Sequence, residues 1–206
     1  SYSMKSKYSE VETPAYFITG WYDNLVHEGF KCFSGWKNGS RTEECRRHSR
    51  IMIGPWDHKG IGSAELCGDI DFGPQAAVDI AAEHLHWYDQ RLRGIDTGID
   101  DEPPVRLFVM GENVWRSEGE WPLERTQYTP FYLHSGGRAN AAIGDGTLRL
   151  ELPGDQPPDI YSYDPQDPVP TGGGQSMFAE NTGPRDRRAV ERRDDVLVYS
   201  TPPLPE

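Results

Sequence analysis

Cysteine is scarce in this chain, and the shortage removes two architectures at once. Cys32, Cys45 and Cys67 are too few and too irregularly spaced for a disulfide framework or a zinc knuckle. One pair could still form, but Cys32 falls in a helical pattern, where a buried free thiol is the expected state. Long apolar runs are missing too: no stretch reaches 18 apolar residues, so no membrane-spanning helix is encoded. Positive charge is short, with 21 Lys and Arg against 33 Asp and Glu. The formal net charge of −12 disfavours nucleic acid or an anionic membrane as a partner. The chain opens on Ser1-Tyr2-Ser3 rather than Met, so a signal peptide cannot be judged. The reading favours the cytoplasm over secretion without fixing the compartment.

What is present suits a folded protein of one large or two modest domains. Hydrophobic residues make up 35% and aromatics 11%, against wholesale disorder, while 17 Pro and 22 Gly imply many loops. Residues 15–19 form a short β-branched and aromatic run between Pro14 and Gly20, and residues 50–53 form another before Gly54-Pro55. Between them, Leu25, Val26, Gly29, Phe30, Phe33 and Trp36 recur at helical spacing, which predicts a helix over 24–37 ended by Asn38-Gly39. A strand, helix, strand unit predicts a parallel sheet.

In such sheets, ligands sit beyond the carboxyl ends of the strands. Two short motifs fall there, Gly20-Trp21-Tyr22-Asp23 and Gly54-Pro55-Trp56-Asp57-His58. They read as the Asp and the His of a hydrolase triad, Asp23 fixing the tautomer of His58 and His58 acting as general base and acid. The α/β-hydrolase chain order is Ser, then Asp or Glu, then His, so the serine is expected before residue 1. No Gly-x-Ser-x-Gly elbow occurs here; Gly174-Gln175-Ser176 comes nearest and lacks the second glycine. Each motif also has a plain structural reading. Asp23 suits a helix N-cap, and Asp57-His58 suits a solvated turn. Taken alone, each motif favours the plain reading; taken together, in order on consecutive strands, they favour catalysis.

The pattern widens into a family resemblance. Residues 14–23 (PAYFITGWYD), 51–58 (IMIGPWDH), 84–94 (HLHWYDQRLRG), 101–111 (DEPPVRLFVMG) and 128–134 (YTPFYLH) are similar to the cocaine esterase and X-prolyl dipeptidyl-peptidase group, the CocE/NonD hydrolases. Residues 163–173 (YDPQDPVPTGG) and 192–204 (RRDDVLVYSTPPL) extend the match in family order. The resemblance implies that Asp23 and His58 are triad members, and that the nucleophile elbow, the oxyanion-hole tyrosine segment and a helical cap lie upstream. It also implies a jelly-roll β-sandwich after the hydrolase domain.

The rest of the chain is read to match. Residues 74–93 predict the strongest helix, with Val78, Ala81, Leu85, Tyr88 and Leu92 packing on the sheet and Gly94 as its stop. Residues 95–104 read as a linker. Runs at 105–110, 129–133, 147–152 and 196–199 between Gly, Pro and Asp clusters predict an all-β sandwich. The expected fold is thus α/β plus all-β: the end of an α/β-hydrolase domain over 1–100, then an incomplete jelly-roll-like sandwich over 101–206. No cofactor or metal is expected. His84 and His86 point to different faces of a helix, Thr171-Gly172-Gly173-Gly174 lacks a phosphate-loop ending, and Asp164 and Asp167 are turn formers. The implied substrate is a small-molecule ester or a peptide, with homo-oligomer formation left open. A binding sandwich with a vestigial hydrolase edge, and an amide acylase with the same triad, stand as alternatives.

Overall fold

The expected strand, helix, strand unit is present in the computed structural model, which describes residues 4–63, 65–177 and 181–204. Strands β1 (Tyr16–Tyr22) and β2 (Arg50–Asp57) pair in parallel, from Tyr16 against Arg50 to Gly20 against Gly54. Helix α1 (Val26–Gly39) connects them. It starts later than the spacing predicts because residues 23–25 form a turn, the Asp23 carbonyl accepting from the Val26 N–H at 3.1 Å. A short helix α2 (Glu43–His48) follows. Its signals stand in the sequence: Thr42 caps the Cys45 N–H at 3.1 Å, with acidic residues in the first turn and basic ones in the last.

Two-residue strands β3 (Leu66–Cys67) and β4 (Ile70–Asp71) form an antiparallel pair. The helix predicted over 74–93 is in two parts. Pro74–Ala76 makes a 3-10 turn, and α3 (Ile80–Arg93) begins after Asp79, whose carboxylate accepts from the Ala82 N–H at 3.0 Å. Gly94 ends α3 in the left-handed region, as expected. The face of α3 differs from expectation: Leu85, Tyr88 and Leu92 are exposed. Glu83 and Trp87 turn inward instead. Glu83 accepts from the Tyr16 hydroxyl at 3.1 Å and from Arg106 at 2.7 Å, and the buried Trp87 ring lies 5.6 Å from Tyr16. Charge-assisted bonds to a sheet surface that carries Tyr16 and Arg106 outweigh the helix's own apolar stripe.

Residues 105–110, expected in the sandwich, belong to the first sheet. Strand β5 (Val105–Val109) pairs in parallel with β2, and β6 (Val114–Glu118) pairs antiparallel with β5, giving the order β1-β2-β5-β6. Val105 and Leu107 join Ile51, Ile53, Val26 and Phe33 in one core under α1. Phe108, on the opposite face by alternation, packs with Cys67, Phe72 and Ala76. Both faces of the parallel strands are therefore covered, which is why their sequences are continuously apolar.

The chain divides into two units elsewhere than at residue 100. The first extends through Thr126 and takes back Gly173–Arg185; the second holds Gln127–Gly172 and the residues from Asp186. The stretch read as a linker over 95–104 leads into β5. In the second unit, β7 (Tyr132–His134) and β8 (Thr147–Arg149) form an antiparallel ribbon, extended by isolated bridges Asn140–Leu197 and Thr147–Ser200. Asp159 organises it, accepting from the Ser135 hydroxyl at 2.6 Å, the Tyr199 hydroxyl and the Ala139 N–H at 2.8 Å. Those bonds, Ser135's first, hold its carboxyl below the usual range, and the bond to Asp159 lifts Tyr199 to about 12. Among the described residues this unit is all-β.

The close approach of β1 to β2 depends on Gly20, where an added Cβ would stand 2.1 Å from the Trp56 carbonyl oxygen. Gly20→Ala is expected to destabilise the chain by about 1–3 kcal/mol through overpacking. Gly119→Ala, with nothing within 4 Å of its Cβ, is expected to stay within about 0.5 kcal/mol of the parent. Denaturant midpoints decide this, and equal midpoints for the two variants would contradict the packing argument.

Candidate active site

The register of the parallel pair breaks once. After Gly20 against Gly54, the next pair is Tyr22 against Asp57, so β2 advances three residues while β1 advances two. The break spans Pro55, which has no N–H to give to the ladder. Its effect is to bring the residues after the last pair level with one another, and these are Asp23 and His58. Glycine makes room on both sides: a Cβ at Gly54 would lie 2.4 Å from the Trp56 ring. Trp56 itself is fully buried and donates its indole N–H to the Ala76 carbonyl at 2.8 Å. Trp21 is tied in the same way to the Phe108 carbonyl at 2.8 Å and packs on Phe30 and Trp121.

His58 Nδ1 lies 3.0 Å from Asp23 Oδ1. The two side chains differ in exposure: Asp23 is 3% accessible and His58 35%. A buried carboxylate is costly unless hydrogen-bonded, and Asp23 has three partners. Besides His58, its Oδ1 accepts from the Leu25 N–H at 2.9 Å, and its Oδ2 accepts from the Thr19 hydroxyl at 3.3 Å. Asp23 is not the N-cap of α1, which is Leu25; the same oxygen that faces His58 instead shapes the turn that precedes the helix. Because an Asp23 carboxylate accepts and does not donate, the contact fixes the His58 proton on Nδ1 and leaves Nε2 to exchange protons.

Asp57 also has a defined task. Its Oδ1 accepts from the Lys59 N–H at 3.1 Å and the Gly60 N–H at 2.8 Å, folding the chain around His58, and its Oδ2 accepts from the Thr182 hydroxyl at 2.6 Å. Thr19 and Thr182 were not legible as site residues, since Thr182 lies 125 positions from its partner and no local pattern links the two. Cys67 lies near Asp57, and burial raises its thiol to about 11, so it stays protonated at neutral pH.

A concavity of about 740 Å³ elsewhere is lined by residues including Glu44, His48, Trp87, Arg91 and Asp100. Its charged groups are committed to one another: Arg91 pairs with Glu44 at 3.2 Å and with Asp100, and His48 Nδ1 lies 2.8 Å from Asp100.

The chain is similar to known proteins in sequence and in fold. Residues 97–206 match the model of the X-Pro dipeptidyl-peptidase C-terminal non-catalytic domain. The chain is 40% identical over 205 residues to cocaine esterase of Rhodococcus sp. strain MB1 Bresler, covering 98% of this chain and 34% of that protein. In fold it is similar to an aminopeptidase of a marine sediment Thaumarchaeota archaeon, with a TM-score of 0.67 and 24% identity over 94% of this chain and 31% of the other. The chain thus spans about a third of the length of these relatives. Asp23 and His58 precede the matched domain and fall within the stretch shared with the esterase. The domain match alone takes in more than half of the 206 residues, and the chain belongs to the cocaine esterase and X-Pro dipeptidyl-peptidase family, the CocE/NonD hydrolases.

Proposed function

We propose that Asp23 and His58 are the orienting acid and the general base of a Ser-His-Asp triad in a serine hydrolase, with the serine supplied by a part of the protein outside residues 1–206. The 3.0 Å contact between His58 Nδ1 and a nearly inaccessible Asp23 carries this reading. In the proposed cycle, His58 Nε2 takes the serine proton as the hydroxyl attacks the acyl carbon. Asp23 stabilises the resulting imidazolium without taking its proton, and His58 then protonates the leaving group. A water molecule repeats the sequence to release the acid.

An ester of a small molecule is the favoured substrate class, because the 40% identity is to a protein named for its esterase activity. The peptide alternative draws on the domain description. The same description calls the matched domain non-catalytic, which agrees with a site built from residues before it. We propose the same division for the architecture. Here β1, β2, α1 and α3 are the closing part of an α/β-hydrolase domain, and the all-β unit is part of a jelly-roll-like sandwich.

In the protein that carries the serine, His58→Ala is expected to lower kcat/KM for an aryl ester by about 10⁴-fold or more. Asp23→Asn is expected to leave a folded enzyme impaired by a factor on the order of 10⁴, the amide favouring the wrong tautomer. Steady-state kinetics with circular dichroism of each variant test this, and activity within tenfold of wild type in either one would defeat the assignment. The chain of residues 1–206 alone is expected to leave a fluorophosphonate probe unreacted. A single labelled serine found by peptide mapping would put the nucleophile inside this sequence instead.

A further inference from the structure

The segment Gly173–Arg185 returns to the first unit and reaches both halves of the site. Gly174 and Gly183 exchange backbone hydrogen bonds at 2.8 and 3.0 Å, so the segment closes on itself as a loop. At one side, Gln175 Nε2 donates to the Trp21 carbonyl at 3.0 Å, on the β1 end that leads to Asp23. At the other, the Thr182 hydroxyl donates to Asp57 Oδ2 at 2.6 Å, beside His58. The loop is seated on the β3–β4 turn: the Asp69 N–H donates to the Pro184 carbonyl at 2.8 Å, and Arg185 pairs with Asp69 at 2.6 Å. Gly183 allows this seating, since it has φ +80° and a Cβ there would lie 2.7 Å from the Gly68 nitrogen. Thr182 is 2% exposed, so its hydroxyl meets Asp57 with little competition from water.

We propose that Thr182 is a positioning residue for His58. It holds the Asp57 carboxylate in the orientation from which Oδ1 caps Lys59 and Gly60, and thereby fixes the backbone that presents His58 to Asp23. The inference rests on the dyad reading and adds a contact that reaches the site through Asp57. Its premise is chemical rather than volumetric: the hydroxyl matters, and the methyl does not. Thr182→Val keeps the shape and removes the donor, whereas Thr182→Ser keeps the donor and removes the methyl. A packing role and a positioning role therefore rank the two variants in opposite order.

The test is proton NMR of the full 206-residue chain, following the low-field resonance of the His58 Nδ1 proton, assigned by its loss in His58→Asn. Circular dichroism and a melting curve are recorded for each variant. Thr182→Val is expected to speed exchange of that proton with water by about tenfold, the worth of one charge-assisted hydrogen bond, while Thr182→Ser keeps it within twofold of wild type. Asp57→Asn, which retains an oxygen for Lys59 and Gly60 and replaces the other with an amide, is expected to reproduce the Val effect even if Val fails to fold. An unchanged resonance in Val or in Asp57→Asn overturns the proposal, and so does equal damage in Val and Ser, which assigns Thr182 to packing. A wild-type chain with no low-field proton that His58→Asn removes would sink the dyad reading and this inference with it. A sharp wild-type signal indifferent to Thr182 would sink this inference alone.

Discussion

The parallel contact between β1 and β2, with its single register break, is the constraint on which the site depends. A regular parallel ladder would have carried the pairing of Gly20 with Gly54 onward and set Asp57, not His58, level with Asp23. Two carboxylates facing one another would repel and raise a pKa rather than orient an imidazole. One extra residue on β2, accommodated where proline cannot donate to the ladder, converts that repulsion into an Asp–His contact of 3.0 Å. Gly20 and Gly54 are needed for the same reason, because the diverted β2 backbone and the Trp56 ring occupy the space where their side chains would stand.

Three indoles stabilise the diverted strand ends from different directions. Trp21, Trp56 and Trp115 each bury or half-bury a large ring and place the one N–H on a backbone carbonyl, of Phe108, Ala76 and Gln75 respectively. An indole with its donor satisfied gains apolar burial without the penalty of an unpaired polar group. The result ties β1 to β5 and ties β2 and β6 to the turn before α3. The loops that bear Asp23 and His58 are thus anchored on rigid elements rather than left to wander, as a proton-transfer pair requires.

Much of this was legible in the residues. The apolar runs before Gly20 and Gly54, the helical spacing from Leu25 to Trp36, the stop at Gly94 and the placement of Asp23 and His58 after consecutive strands all follow from local pattern. What was not legible depends on contacts between distant residues. The run from Val105 looked the same whether it extended the first sheet or opened a second, and only its fit beside Ile51 and Ile53 decides between them. The face of α3 was misjudged because hydrophobic spacing ignores a partly buried ion pair: Arg106 and Tyr16 draw Glu83 inward and leave Leu85 and Leu92 to solvent. The Thr182 contact crosses 125 positions and leaves no trace in spacing.

The electrostatics of Asp23 explain why an aspartate, rather than a neutral hydrogen-bonding residue, suits this position. Its two oxygens meet a backbone N–H, a threonine hydroxyl and an imidazole nitrogen, all of which can donate at once to a carboxylate. An asparagine that turned its amide nitrogen toward the Leu25 N–H and His58 would lose the bond to the turn and face His58 with the wrong polarity, and one that turned it toward the Thr19 hydroxyl would leave only a neutral oxygen beside His58. A glutamate, longer by one methylene, could not keep its oxygen over the Leu25 N–H while reaching His58 from the same backbone. The turn into α1 and the tautomer of His58 are therefore fixed by one group. A substitution that removes Asp23 Oδ1 loosens the turn into α1 together with the contact to His58.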